Sequence, residues 1–136
     1  MQQKNEIKQE RRNDTTLLHI HGDITAHSEP FINEAYKELN DQGTAQKILI
    51  QFEEEAYINS GGIAVLIQIL AQTHKNNQQI GITGLSDHFK KIFRMVGITK
   101  FANIYNSLED ALESMSQGTW IGISNGLSSD LIIFYA

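Results

Sequence analysis

Asn59-Ser60-Gly61-Gly62 gathers a hydroxyl, a side-chain amide and two glycines into one short run. The run follows an apolar strand-like segment, KILIQF at residues 47–52. It precedes Ile63, Leu66, Ile67 and Leu70, which recur at the helical spacing i, i+3, i+4, i+7. Asn59 or Ser60 is placed to cap the first free N–H groups of that helix, and Gly61-Gly62 lets the backbone enter it unobstructed. The serine hydroxyl therefore stands at the positive end of a helix dipole, at the surface, where a phosphate is well received. The plain alternative is that Ser60 only caps the helix, a contribution of about 0.5–2 kcal/mol.

Other chemistries fit the residues poorly. A nucleophilic serine needs a base and an oxyanion hole, and Asn-Ser-Gly-Gly is not the Gly-x-Ser-x-Gly elbow. His74 lies about 20 Å down the same helix from Ser60, too far to serve as that base. The glycine pair matches neither a P-loop nor a Gly-x-Gly-x-x-Gly dinucleotide site. His19-x-His21 is a close histidine pair, but it lacks a matched third metal ligand and reads as a solvated sheet face. Glu53-Glu54-Glu55 reads as a solvated loop that sets a negative field beside Ser60. No catalytic residue, cofactor or metal is implied.

The elements that must position Ser60 follow from patterning along 136 residues, the length of one domain. Residues 6–10 and 16–21 alternate as two strands joined by the polar turn Arg11-Arg12-Asn13-Asp14, with Leu18 and Ile20 facing one way and His19 and His21 the other. Ser28 reads as an N-cap, with Pro30 in the first turn and Phe31, Ala35 and Leu39 as an apolar stripe ending before Gly43. The strand at 47–52 and the helix at 60–75 come next, the helix apolar over more than half its circumference. Residues 79–83 make a further strand. Ser86 caps a helix with Phe89, Ile92, Phe93 and Val96 on one face and Gly97 at its close. Ile104-Tyr105 forms a last short strand, and Ser107 opens a final helix in a pattern like a capping box.

The order β-β-α-β-α-β-α-β-α predicts an α/β domain: a mixed, mainly parallel sheet with an antiparallel edge hairpin and about four helices. Residues 1–117 form this single domain. Residues 118–136 lie outside the pattern as a C-terminal tail. Within it, residues 131–135 (LIIFY) are apolar and β-prone, and are expected to pack on the domain or to pair with a second chain as a homodimer.

Composition narrows the classes of partner. Eleven Lys+Arg stand against 16 Asp+Glu, a formal net charge of −5, which disfavours nucleic-acid binding. Cysteine is absent, so disulfides and thiolate metal sites are excluded. The polar N-terminus has no signal-peptide core, and no stretch is apolar enough for a membrane span, so a cytoplasmic protein is expected.

The run Tyr57-Ile58-Asn59-Ser60-Gly61-Gly62-Ile63 resembles the signature of STAS domains, the anti-sigma-factor antagonist family, usually an apolar or aromatic pair followed by Asp-Ser-Ser/Thr-Gly-Leu. Gly22-Asp23-Ile24 is similar to that family's Gly-Glu/Asp-Leu/Ile, and residues 89–98 are similar to its late helix followed by Gly-Leu. The likeness covers about residues 6–117, with the three motifs in order.

The resemblance implies a non-enzymatic protein-binding module of a partner-switching pathway. Such a module captures an anti-sigma factor that is also a serine kinase, is released when the serine matching Ser60 is phosphorylated, and is reset by a phosphatase. It also implies partner-binding roles for Thr25, Asn59, Ser60, Gly61, Gly62 and Ile63. Asn59 and Thr25 stand where the family carries acids, and Gly61 where it carries a second Ser/Thr. Less negative charge around the hydroxyl would ease the accommodation of a phosphate. The alternative that the family offers is a non-switching scaffold or accessory subunit, in a stress-signalling assembly or beside a lipid or anion transporter.

Overall fold

The computed structural model describes residues 5–43 and 45–116. Five strands, β1 (Glu6–Arg12), β2 (Thr15–His21), β3 (Lys47–Phe52), β4 (Gln79–Thr83) and β5 (Asn103–Ile104), form one sheet in the order β1-β2-β3-β4-β5. The first pair is antiparallel and every later pair parallel, as the alternation of strands and helices predicts. Four helices complete the domain: α1 (Glu29–Asp41), α2 (Ser60–Lys75), α3 (Asp87–Met95) and α4 (Leu108–Ser116). Among the described residues, none is long and apolar enough to cross a membrane.

The strand pleat divides the core in two. Leu18, Ile20, Ile48, Ile50, Phe52, Ile80 and Ile82 project to the face covered by α1, α2 and α3. Leu17 and Leu49 project to the other face and close a smaller core with Ala111 and Met115 of α4. KILIQF is thus buried on both sides, which is why it reads as a nearly unbroken apolar run. In α2, Val65, Leu66, Ile69 and Leu70 are buried, while Ile63 and Ile67 pack at the margin of the main core.

Four local expectations need correction. The hairpin turn is only Asn13-Asp14, with β1 running to Arg12 and Asn13 taking the left-handed φ of 56° that asparagine tolerates. Ser28 does not cap α1 with its side chain. Its buried hydroxyl turns back to accept the Thr25 N–H at 3.0 Å, while Thr25 Oγ1 accepts the His27 N–H at 3.1 Å, closing a single 3-10 turn. The last strand begins and ends one residue early, at Asn103–Ile104, and Tyr105 donates its N–H to the Ile82 carbonyl at 2.8 Å. Val96 is not on the buried face of α3; it is 45% exposed at the C-cap, because the helix ends on Gly97 with φ 86° before Val96 can turn inward.

The caps at Ser86 and Ser107 form as expected, accepting the N–H groups of Phe89 and Asp110 at 3.3 and 3.0 Å. The tail segment 131–135, and with it pairing of two chains through it, lies outside the described residues. Both cores close on residues up to Met115. We therefore expect a chain truncated after Gln117 to unfold cooperatively with a melting temperature near that of the full chain. A truncated chain without a cooperative transition would move the domain boundary.

Candidate functional site

Two loops at one end of the sheet are tied together by their backbones. Beyond β2, Gly22 to Thr25 runs alongside Tyr57 to Asn59, the approach to α2. The Ile24 N–H donates to the Tyr57 carbonyl at 2.9 Å, the Asn59 N–H donates to the Ile24 carbonyl at 3.1 Å, and Ile24 and Ile58 form an isolated parallel bridge. Asp23 Oδ1 accepts the Tyr57 N–H at 2.9 Å. Asn5 donates to the carbonyls of His21 and Asp23, both at 2.9 Å, and fixes the other side of the same exit. Two motifs more than thirty residues apart in sequence therefore form one surface.

Within that surface, Asn59 is the cap of α2. It has extended φ/ψ of −93° and 179°, its Oδ1 accepts the Gly62 N–H at 2.9 Å, and its carbonyl accepts the Ile63 N–H at 2.9 Å. Ser60 becomes the first helical residue, exposed, with no hydrogen bond from its hydroxyl to any described residue. The plain reading of Ser60 as the cap is overturned: the asparagine has taken that task. Replacing Asn59 with Ala is expected to cost ~1 kcal/mol of unfolding free energy in denaturant titration. A cost below a few tenths would deny Asn59 the cap.

The glycines have separate reasons. A Cβ on Gly62 would lie 2.2 Å from the Ile24 carbonyl oxygen, so the two loops approach this closely only because that atom is missing. Gly62 is buried and its role is packing. A Cβ on Gly61 would meet the Ala26 Cβ and N at 3.1 Å, which brings the turn capped by Thr25 against the start of α2. The structure thus gathers Thr25, Asn59, Ser60, Gly61, Gly62 and Ile63 in one place, with Ser60 at its surface, Thr25, Asn59, Gly61 and Ile63 partly covered and Gly62 beneath.

The acidic run is placed differently from its sequence reading. Glu53, Glu54 and Glu55 line a cleft of about 750 Å³ with His19, His21, Gln51 and Lys90, and Ser60 is not among its walls. Glu53 serves as a brace between strands, accepting the Gly22 N–H at 2.7 Å and meeting His21 Nδ1 at 3.2 Å. The Gly22 N–H and then His21 hold its carboxyl below the usual glutamate range. His19 turns instead to Glu10, at 3.2 Å, so the two imidazoles go to different carboxylates. No group of three or more His, Cys, Asp or Glu is arranged to hold a metal ion among the described residues. His74 stacks edge-on with Phe101 at 5.6 Å, near the opposite end of α2 from Ser60.

Sequence reasoning missed Asp23 and Glu53 as braces, because their acceptors are used by backbone N–H groups more than thirty residues away. It also missed Tyr57 as an exposed side chain: 60% exposed, its ring meets Phe89 at 6.1 Å.

The model of the STAS domain matches residues 6–111. The chain is similar to the anti-sigma-B factor antagonist of Staphylococcus aureus (strain NCTC 8325 / PS 47), 21% identical over 90 residues, spanning 66% of this chain and 82% of that one. It is also similar to the anti-sigma-B factor antagonist of Listeria monocytogenes, 27% identical over 101 residues, spanning 74% of this chain and 87% of that one. In fold it is similar to the Bacillus cell fate determinant SpoIIAA in its phosphorylated form, with a TM-score of 0.59 at 15% identity, covering 81% of this chain and 99% of that one. A braced two-loop surface at the start of α2, on a sheet of this topology and with a family match over most of its length, places the chain in the STAS domain family.

Proposed function

We propose that this protein is a phosphorylation-switched antagonist of an anti-sigma factor. It captures a kinase-type anti-sigma factor over residues 59–63 and Thr25, is phosphorylated by it on Ser60, and is thereby released; a phosphatase restores capture. It catalyses no reaction of its own.

The observation that carries the reading is the state of the Ser60 hydroxyl. It is exposed, it makes no hydrogen bond to a described residue, and it stands on the first turn of a 16-residue helix whose cap is supplied by another side chain. A hydroxyl needed for capping could not be esterified without cost to the helix, whereas this one can. The N–H groups of Ser60 and Gly61 have no partner among the described residues and face the dipole's positive end, where a phosphoryl group is stabilised. The names of the Staphylococcus and Listeria relatives and the phosphorylated form of the Bacillus neighbour support the same reading.

The test is incubation of the purified chain with ATP and the kinase-like protein encoded nearest to it, followed by mass spectrometry. Phosphate on Ser60 is expected, together with a Ser60→Ala chain that binds the kinase but is not released by ATP. An unmodified Ser60 on a chain that binds and stays bound would leave the scaffold reading in its place.

A further inference from the structure

We infer that the outer face of α3, together with Tyr57, is a docking surface for an acidic, apolar-tipped segment of the partner protein. The inference rests on the proposed function only for the identity of that partner.

Three large hydrophobic side chains are exposed among the described residues: Tyr57 at 60%, Met95 at 83% and Val96 at 45%. They belong to one strip. The Tyr57 ring meets Phe89 at 6.1 Å, and the His88 ring meets Phe89 at 5.0 Å, joining the approach to α2 with the first turn of α3. Met95 follows His88 by seven residues, two turns further along nearly the same line of α3, and exposed Val96 adjoins it at the C-cap. Half-buried Ile92 lies between them. The strip starts three residues before Ser60 and extends along α3 by about 10 Å, as the helical rise requires.

Along α3 beyond Phe89 its charge is the opposite of the chain's, while exposed Asp87 and Glu55 stand at the Tyr57 end. Between Phe89 and Phe101 stand Lys90, Lys91, Arg94 and Lys100 and no Asp or Glu, in a protein of formal net charge −5. Lys90 is held by Asp87 at 3.6 Å and by Asn106 at 2.9 Å. Lys91, Arg94 and Lys100 are exposed and form no ion pair among the described residues. Apolar side chains beside cations that have no ion pair among the described residues fit a surface that offers carboxylates around an apolar tip.

Three other occupants fit less well. A second copy meeting this strip about a two-fold axis would set cations against cations. The chain's own residues 117–136 carry a single carboxylate, Asp130, and no match for the cationic rim. On this face a membrane would find little to bury, since Phe89 and Phe93 are sealed in the core and, among the described residues, only Met95, Val96 and Tyr57 are exposed large hydrophobics.

The experiment is calorimetry of the kinase-like protein encoded nearest this chain against wild type, Met95→Glu, the double variant Lys91→Glu/Arg94→Glu, and Ser60→Asp. Met95, Lys91 and Arg94 are exposed, so unchanged thermal unfolding is expected of the α3 variants and is checked first. Each α3 variant is expected to weaken binding about tenfold or more, and raised ionic strength to weaken the wild type as the rim charges are screened. Binding indifferent to the α3 variants but lost in Ser60→Asp would overturn the α3 surface and leave the switch intact. Binding lost in the α3 variants but unchanged in Ser60→Asp would keep the surface and remove the switch. A wild type that does not bind this partner overturns both. Uptake on phosphatidylglycerol vesicles, or concentration-dependent dimerisation, that is abolished by Met95→Glu would reassign the strip to a membrane or to a second copy.

Discussion

Gly62→Ala is expected to destabilise the protein by at least ~3 kcal/mol, a large fraction of the stability of a domain this size. The added methyl would lie 2.2 Å from the Ile24 carbonyl oxygen and 2.6 Å from its carbon, contacts that flexible side chains cannot relieve because the obstacle is backbone. Moving that carbonyl aside would cost its hydrogen bond from Asn59 at 3.1 Å and strain the bridge between Ile24 and Ile58. Moving α2 instead would disturb the packing of Val65, Leu66 and Ile69. At roughly 4–8 °C per kcal/mol for domains of about 60–100 residues, the melting temperature should fall by on the order of 10 °C or more. Gly61→Ala is the control. Its methyl meets Ala26 at 3.1 Å, a tight contact offset by the better helix propensity of alanine, about 1 kcal/mol. If Gly62→Ala melts no lower than Gly61→Ala, the close approach of the two loops is not what holds them together.

Ser60→Asp is expected to weaken capture of the kinase-type partner at least tenfold, which requires only ~1.4 kcal/mol, while leaving the fold unchanged. The two halves of this expectation have different causes. Within the domain, a negative charge on the first turn of α2 meets N–H groups with no partner among the described residues, at the positive end of the dipole, a favourable contact of about 0.3–1 kcal/mol. At an interface laid over Asn59 and Ser60, the same charge must be stripped of water. A phosphoserine, at about −1.5 to −2 charges, imposes a larger penalty of the same kind. Under the proposed function, release would need no refolding, because the hydroxyl is already exposed and uninvolved in the cap. Matching affinities for wild type and Ser60→Asp, measured by calorimetry, would remove the charge mechanism. A large fall in the melting temperature of Ser60→Asp would instead show that the hydroxyl has a structural task.

Local patterns along the chain are enough to specify the element order, the two-sided burial of KILIQF and the placement of Ser60 at a helix start. These rest on short-range rules: the strand and helix periods, and the capping preferences of Ser and Asn within three residues of a helix start. Where two local solutions were equally good, sequence could not choose. Asn59 and Ser60 both cap well, and Asn59 takes the cap because the Ile24 carbonyl fixes its N–H in extended backbone. Ser28 loses its expected cap for a similar reason, since the loop after β2 needs its hydroxyl to hold Thr25. The partnerships between distant loops emerge only on folding: Glu53 with Gly22, Asp23 with Tyr57, and the Ile24 carbonyl against Gly62. Folding also sets which apolar residues stay outside. Val96 belongs to an apolar stripe by spacing, yet α3 ends before the stripe is fully buried. Each of these depends on a contact between segments distant in sequence, and a contact of that kind leaves no period or local pattern from which it could be read.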